Sequence, residues 1–310
     1  METYGKESLR EAFGKALIDA GKTWNNLVVL DAGTKNSTYS QKFQEVYPDR
    51  FYTPGINEPG MIGAATGMAM AGKQVVACDM SVFLHHAYAQ IRAAARQGSD
   101  LHLVIAATHT GVAVGPDGGS AHDLTDLARM RLVPGFNVIT PWDGRQIRSV
   151  LQVILEEKGL YYVRLNRPKV PLFLPEPAPF EIGKAYKLSE GERVTIIAVG
   201  DKVYNALIAS EELGKGFADV IGISTLEPLD SETIIASAKK TGRVVTVEDH
   251  LYIGGLYEAV AGVLAQHHPT PMRRIALDRI FTTSGDPDEL AEIYGVNTAA
   301  IVRLCKEFAG

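Results

Sequence analysis

Cysteine is nearly missing. The chain has 310 residues and two cysteines, Cys78 and Cys305. They lie far apart, no CxxC pair occurs and no signal-peptide pattern stands out. No disulfide framework is expected, and a reducing cytoplasm is. No apolar run is long enough to cross a bilayer, so no membrane is expected. Positive charge is not in excess. The formal net charge of −5 argues against a nucleic-acid or anionic-membrane surface. No internal repeat and no low-complexity tract is present. What remains is 46% hydrophobic and 22% charged, the balance of a soluble globular protein, at a length that suits two domains.

The first part alternates helical and strand-like segments. "GKESLREAFGKALIDAG" has helical spacing and ends on Gly21. "NLVVLDAG", "QVVACDM", "LHLVIAAT" and "FNVITP" are short apolar runs of the kind that form buried strands. "QKFQEVYPDR", "EPGMIGAATGMAMAG", "FLHHAYAQIRAAARQG" and "AHDLTDLARMRLVPG" read as helices. This alternation predicts an α/β fold: a mostly parallel sheet with helices on both faces. Five prolines between Pro168 and Pro179 then break the pattern, since proline suits neither a helix interior nor a central strand. The expected division is a first domain over 1–167, an extended linker over 168–181 and a second α/β domain over 182–310. In the second domain "RVTIIAVG", "ADVIGIST", "RVVTVEDH" and "RRIAL" are strands, with helices after Gly200, Asp230 and "YIGG".

Three places attract chemistry. Glu58 heads a helix made mostly of Gly, Ala and Met. A helix-start acid gains roughly 0.3–1 kcal/mol from the helix dipole, which by itself would explain it. The glycines remain unexplained, because each costs a helix about 1 kcal/mol relative to Ala. Such a tract suits close approach to another backbone or to a ligand, and a carboxylate buried there needs a partner. Next, Ser81 and Phe83 follow a strand end, where ligands bind in open parallel sheets. Phe83 is placed to stack on a flat ring or to fill the core, and His85, His86 and Tyr88 crowd the same turn. Third, "THTGVAVGPDGGSAHD" puts His109 at a strand end and Asp117 in a Gly-rich loop that closes on His122, at an expected helix start. A loop histidine serves as a hydroxyl contact or proton carrier, or is solvated surface. The loop's glycines do not follow the GxGxxG dinucleotide pattern.

Taken in order, "DRFYTPGINEPGMIGAATGMAMAG", "FLHHAYAQIR", "THTGVAVGPDG…H" and "LVPGFNVITPWD" resemble the pyrimidine-binding domain of thiamine-diphosphate enzymes of the transketolase family. "VTVEDHLYIGGLYEAVAGVLA" and "TSGDPDELAEIYGV" are similar to that family's C-terminal domain. The resemblance spans nearly the whole chain. It implies the C-terminal half of a split enzyme that moves a two-carbon ketol unit from a ketose to an aldose, free or phosphorylated, in the pentose phosphate pathway. The GDG…N motif that binds the diphosphate and its metal is missing from this sequence. The implied partner is an N-terminal subunit carrying that motif and holding Mg²⁺ or Ca²⁺. Thiamine diphosphate would be shared between the two, with self-association giving a heterotetramer.

Residue roles follow from the same resemblance. Glu58 would bond a ring nitrogen of the aminopyrimidine and promote the imino tautomer that takes the thiazolium C2 proton. Phe83, His86 and Met61 would line the cofactor. Ser37, His109, Asp117, His122 and Arg167 would contact substrate, with His109 and His122 moving protons. An Arg fork such as that of Arg167 suits a phosphate. Two departures stand out. Gly33 replaces the acid that the family usually carries after its first strand, and the Gly-rich loop is one residue longer before His122. They leave room for a non-catalytic paralogue. A related thiamine enzyme also stays open: a deoxyxylulose-phosphate synthase half, a 2-oxo acid dehydrogenase β subunit or an unusual-sugar transketolase.

Overall fold

The computed structural model describes residues 3–98 and 100–310. In chain order the first part comprises β1 (Lys6–Ser8), α1 (Leu9–Thr23), β2 (Leu27–Asp31), α2 (Lys35–Thr38), α3 (Gln41–Val46), β3 (Phe51–Tyr52), α4 (Glu58–Met70), β4 (Gln74–Met80), α5 (Tyr88–Ala95), β5 (Leu103–Thr108), α6 (Asp126–Arg131), β6 (Phe136–Ile139), α7 (Gly144–Glu156), β7 (Leu160–Leu165) and β8 (Lys169–Pro171). The second part comprises β9 (Ala185–Ser189), β10 (Gly191–Val199), α8 (Lys202–Leu213), β11 (Gly216–Ile223), β12 (Thr225–Glu227), α9 (Ser231–Thr241), β13 (Val244–Leu251), α10 (Leu256–His267), β14 (Met272–Leu277), α11 (Pro287–Ile293) and α12 (Thr298–Ala309).

The apolar runs form the strands of a seven-stranded sheet in the order β12-β6-β7-β5-β4-β2-β3. Every pairing in it is parallel except that of β12 with β6. One face packs α4, α5 and α6 through residues such as Met61, Ile62, Ile91 and Leu127. The other packs α1 and α7 through Phe13, Leu17, Ile147 and Leu151. A second sheet, β14-β13-β10-β11-β9, is parallel apart from its edge strand β9. Two domains with mostly parallel sheets flanked by helices are therefore present, as the alternation predicts.

Several boundaries differ from the expectation. α1 runs past Gly21 to Thr23. The helix expected from Phe83 is split into a 3₁₀ turn, Phe83–His85, and α5. The helix expected from Ala121 shrinks to α6, and His122 is therefore not at a helix start. The cause is Asp123: its carboxylate accepts from the N–H and hydroxyl of Thr125, a local turn that competes with helix. The proline-rich stretch is not a free tether. β8 pairs antiparallel with β1, and Asp143 Oδ2 accepts from the N–H of both Phe173 and Leu174. β12 lies beyond the linker in sequence, yet it completes the first sheet. The two sheets are locked together by buried groups: the Trp142 indole N–H donates to Ile223 O at 2.9 Å, and Asn166 donates to Asp201 at 2.7 Å.

Candidate active site

Because β2, β4, β5 and β7 run parallel, their carboxyl ends meet along one edge of the sheet, the usual place for a ligand. All the residues singled out above except Met61 lie on this edge or on the loops that rise from it.

Glu58 starts α4, whose N-cap Asn57 accepts from Gly60 N–H at 2.9 Å. The residue is 7% exposed, and its carboxylate faces His86, with Oε2 3.8 Å from Nδ1. Among the described residues Glu58 has no ion pair or hydrogen bond to His109, His122 or Arg167. Phe83, one turn before His86, leaves 37% of its surface open, so its ring is free to stack. Met61 is different. It is fully enclosed in the core under the sheet. One residue on from the open face of α4, helical spacing turns it inward, and its side chain has no surface to offer a cofactor. The expectation for Met61 is corrected accordingly.

His109 follows β5 in a left-handed backbone conformation, φ +56°, an uncommon state for a residue other than Gly. It is 3% exposed. Arg10 Nη1 lies 3.2 Å from Nε2, and Thr108 Oγ1 lies 2.9 Å from Nδ1. A guanidinium only donates, so Nε2 accepts and the ring proton sits on Nδ1. Burial, with the charges of Arg10 and Arg167, pushes the His109 pKa down to about 4. At neutral pH the ring is an uncharged donor and acceptor.

Arg10 also donates to Ser37 O at 2.8 Å, while its Nε is buried without a partner. Arg167 donates to Val114 O at 2.7 Å and pairs with Asp117 at 3.0 Å. Burial, and the nearby charge of Arg167, lower the Arg10 pKa. Ser37, His109 and Asp117 are thus gathered around the guanidiniums of Arg10 and Arg167. The sequence reading missed Arg10, which looks like any charge on an amphipathic helix. The available signal was its place two residues after the helix N-cap Ser8.

The Gly-rich loop is shaped from the second domain. Asp249, on β13, accepts from Val112 N–H at 3.0 Å and Ala113 N–H at 3.4 Å. At Gly111, φ +75°, a Cβ would lie 2.1 Å from the Asp249 carboxylate. His122 donates from Nε2 to Gly115 O at 3.0 Å and accepts on Nδ1 from the Thr282 hydroxyl at 2.7 Å. Both its nitrogens are engaged, so His122 holds the loop to the second domain. Gly33, with φ +106°, leaves a Cβ only 3.1 Å from Ile56. The backbone there demands glycine.

Comparison with known proteins now bears on this edge. The family model of the transketolase pyrimidine binding domain matches residues 6–171, and that of the transketolase C-terminal domain matches residues 183–301. The chain belongs to the transketolase family. It is 39% identical over 306 residues to a Methanocaldococcus jannaschii protein named for a transketolase C-terminal section, covering 97% of this chain and 96% of that one. It is 35% identical over 307 residues to human transketolase, of which it spans 49%. A solved split-gene transketolase, described as an inactive β4 tetramer, superposes with TM-score 0.89 at 36% identity, covering 97% of this chain and 98% of that one. The whole transketolase of Campylobacter jejuni shares the fold, TM-score 0.81, over 47% of its length. The chain thus spans about half the length of full transketolases. The family uses thiamine diphosphate and a divalent metal. No helix among the described residues is long and apolar enough to cross a membrane.

Proposed function

We propose that this chain is the C-terminal subunit of a split transketolase and transfers a two-carbon ketol unit between sugars or sugar phosphates. The observation that carries the reading is the Glu58 carboxylate. It is buried at the head of α4, with an open Phe83 ring nearby and two arginines clustered around His109 on the same sheet edge. The half-site fits the flat end of thiamine diphosphate: a carboxylate for a ring nitrogen and an exposed aromatic face. Bound there, thiamine diphosphate supplies a nucleophilic carbon and an electron sink for the two-carbon unit.

This chain's residues then have the following tasks. Glu58 holds or gives a proton at the ring nitrogen, and His86 faces its outer oxygen. Phe83 covers one ring face. His109, neutral, has both nitrogens engaged, by Arg10 and Thr108, and contacts donor hydroxyls or passes a proton through Nε2 only once Arg10 moves off that nitrogen. Arg10 and Arg167 are assigned to an anionic group, a phosphate by preference, because a guanidinium presents paired N–H donors that match two oxygens of a phosphate. Asp117, paired with Arg167, and Ser37, whose carbonyl is tied to Arg10, flank that group. His122 keeps the Gly-rich loop in place, and it moves protons only if the loop opens.

The diphosphate and the Mg²⁺ or Ca²⁺ ion are assigned to an N-terminal subunit with a GDG…N motif. Two copies of each chain would form a heterotetramer in the cytoplasm, within the pentose phosphate pathway. Self-pairing is assigned to α4: Gly63, Ala64, Gly67 and Met70 are exposed, and nothing lies within 4 Å of a Cβ placed at Gly63 or Gly67. The division into a pyrimidine-binding domain (1–167), a linker (168–181) and a C-terminal-like domain (182–310) is kept as part of this reading.

The test is reconstitution with a chain carrying the GDG…N motif. Ketol transfer from a ketose phosphate should need both chains, thiamine diphosphate and a divalent ion. Activity of this chain alone, or tight cofactor binding without the partner, would refute the split assignment.

A further inference from the structure

Behind the Gly-rich loop lies a cavity of about 320 Å³ that the tasks above leave unused. Val112 and Ala113 of that loop, Asp201 and Lys202 at the start of α8, and Lys6 and Lys169 of the β1–β8 pair border it. Its place follows from the order of the second sheet. β10 connects through α8 to β11 on one side, whereas β13 connects through α10 to β14 on the other. Between the carboxyl ends of β10 and β13 the strand order therefore reverses. Open α/β sheets take their ligands in such a crevice.

Three lysines meet there. The antiparallel register sets Lys6 opposite Pro171 and Ser8 opposite Lys169, so Lys6 and Lys169 share one face. Both are exposed, and among the described residues neither has an ion pair or a side-chain hydrogen bond. Lys202 is 7% exposed. Its ammonium has three N–H groups to place. Its ion pair is with Asp201 Oδ2 at 3.3 Å, and no other acceptor among the described residues takes a hydrogen bond from it. A buried donor without an acceptor is costly, and a ligand oxygen in the cavity would remove that cost. Burial works against the charge of Lys202, but Asp201 and Asp249 outweigh burial and raise its pKa, so it is a cation at neutral pH. The N-terminus of α8, a helix of 12 residues, adds to the lysines. Its N-cap Asp201 makes no side-chain cap bond, because the carboxylate faces Asn166 and Lys202. The positive end of the helix dipole is left for an anion. The acids that border the cavity are Asp201, engaged as above, and Asp288, exposed at the start of α11.

We propose that this cavity binds a small phosphate-bearing molecule, with Lys202 on the phosphate and Lys6 and Lys169 around it. Ammonium groups act on phosphate as point charges, and three of them around one space suit its double charge. Tyr204 and Asn205 of α8 offer polar groups to the body that carries the phosphate. The cavity is separate from the anion site assigned to Arg10 and Arg167, and it does not rest on the transketolase reading. Buried bonds join the two places. Asp201 accepts from Asn166 at 2.7 Å, and Asn166 accepts from the Thr110 hydroxyl at 2.9 Å. Asn166 precedes Arg167, and Thr110 follows His109. A ligand that draws Lys202 from Asp201 therefore acts on a chain of contacts that ends beside both.

The test is methyl and amide NMR of this full chain without cofactor, titrated with inorganic phosphate, with a hexose phosphate and with the bare hexose. Phosphate in either form should shift Val112, Ala113, Lys202 and Tyr204, and the bare hexose should not. Tighter binding of the hexose phosphate identifies an organic phosphate as the ligand; equal affinities identify free phosphate. Lys202→Gln keeps a donor for Asp201 and removes the charge. It should raise Kd by roughly 10–100-fold, the range for a hydrogen bond to a charged group. Lys6→Ser with Lys169→Ser, both at exposed positions, should weaken binding with the core untouched. Arg10→Gln should leave these shifts in place. The proposal is overturned if phosphate shifts nothing around the cavity, if the bare hexose shifts the same residues, if the shifts vanish in Arg10→Gln, or if the lysine variants leave Kd unchanged.

Discussion

Arg10 Nη1 lies 3.2 Å from His109 Nε2, and that contact fixes the histidine as a neutral ring with its proton turned toward Thr108. A residue from the first helix thus sets the state of a residue at the end of β5. Arg10→Gln should raise KM for phosphorylated substrates by roughly 10–100-fold, the range for a charge-assisted hydrogen bond to an anion. KM for an unphosphorylated ketose should move less. Steady-state kinetics on the reconstituted pair checks this; equal losses for both substrates would remove Arg10 from the anion pocket.

His109 makes stability depend on pH. Its folded pKa, about 4, is below the ordinary value of 6.5. The unfolded chain therefore binds a proton that the native chain refuses between those values. Stability is fully present above pH about 6.5 and falls as pH drops toward 4, by about 3 kcal/mol at most from this group. His109→Gln should flatten that part of the curve. Denaturant titrations of both proteins at several pH values provide the measurement.

Asp249 shapes the Gly-rich loop from the other domain. Asp249→Ala leaves the buried N–H groups of Val112 and Ala113 unpaired, at a cost of about 1–3 kcal/mol each. Hydrogen exchange over residues 110–122 should speed up well beyond the rest of the sheet. Uniform protection would show that Thr282 and Arg167 suffice to hold the loop.

The parallel sheets were legible in the apolar runs, because a strand buried on both faces has to be apolar throughout. α4, α8, α9 and α10 were legible because each starts or stops at a strong local signal. The missed features are those built by tertiary contacts. β8 pairs with β1 across more than 160 residues, and β12 crosses back to the first sheet; neither pairing leaves a mark in a local window. The short α6 was overcalled because Asp123 spends its side chain on a turn. Within the proposed site, Glu58, Phe83 and His109 were singled out through their positions at helix or strand ends. Arg10 and Asp249 were not, since their importance lies in which distant atoms they meet. Met61 was misread for the same reason, since motif position gives no indication of which way a side chain faces.

The open face of α4 tests self-association. Ala64 is exposed, so Ala64→Trp should leave the fold unchanged and block close helix contact. Gel filtration with light scattering should show the wild type as a dimer or larger and the variant shifted toward monomer. A wild-type monomer at high concentration would count against α4 as the pairing surface.

The central claim is that Glu58 works on the cofactor ring rather than only capping a helix. Glu58→Gln keeps the size and a hydrogen-bonding end but cannot exchange a proton with a ring nitrogen. In the reconstituted pair, C2 proton exchange of bound thiamine diphosphate, followed by NMR beside the melting temperature, separates the two roles. The account predicts exchange slowed by roughly 10²–10⁴ with Tm lowered by no more than the equivalent of about 1 kcal/mol. Exchange at the wild-type rate would contradict it.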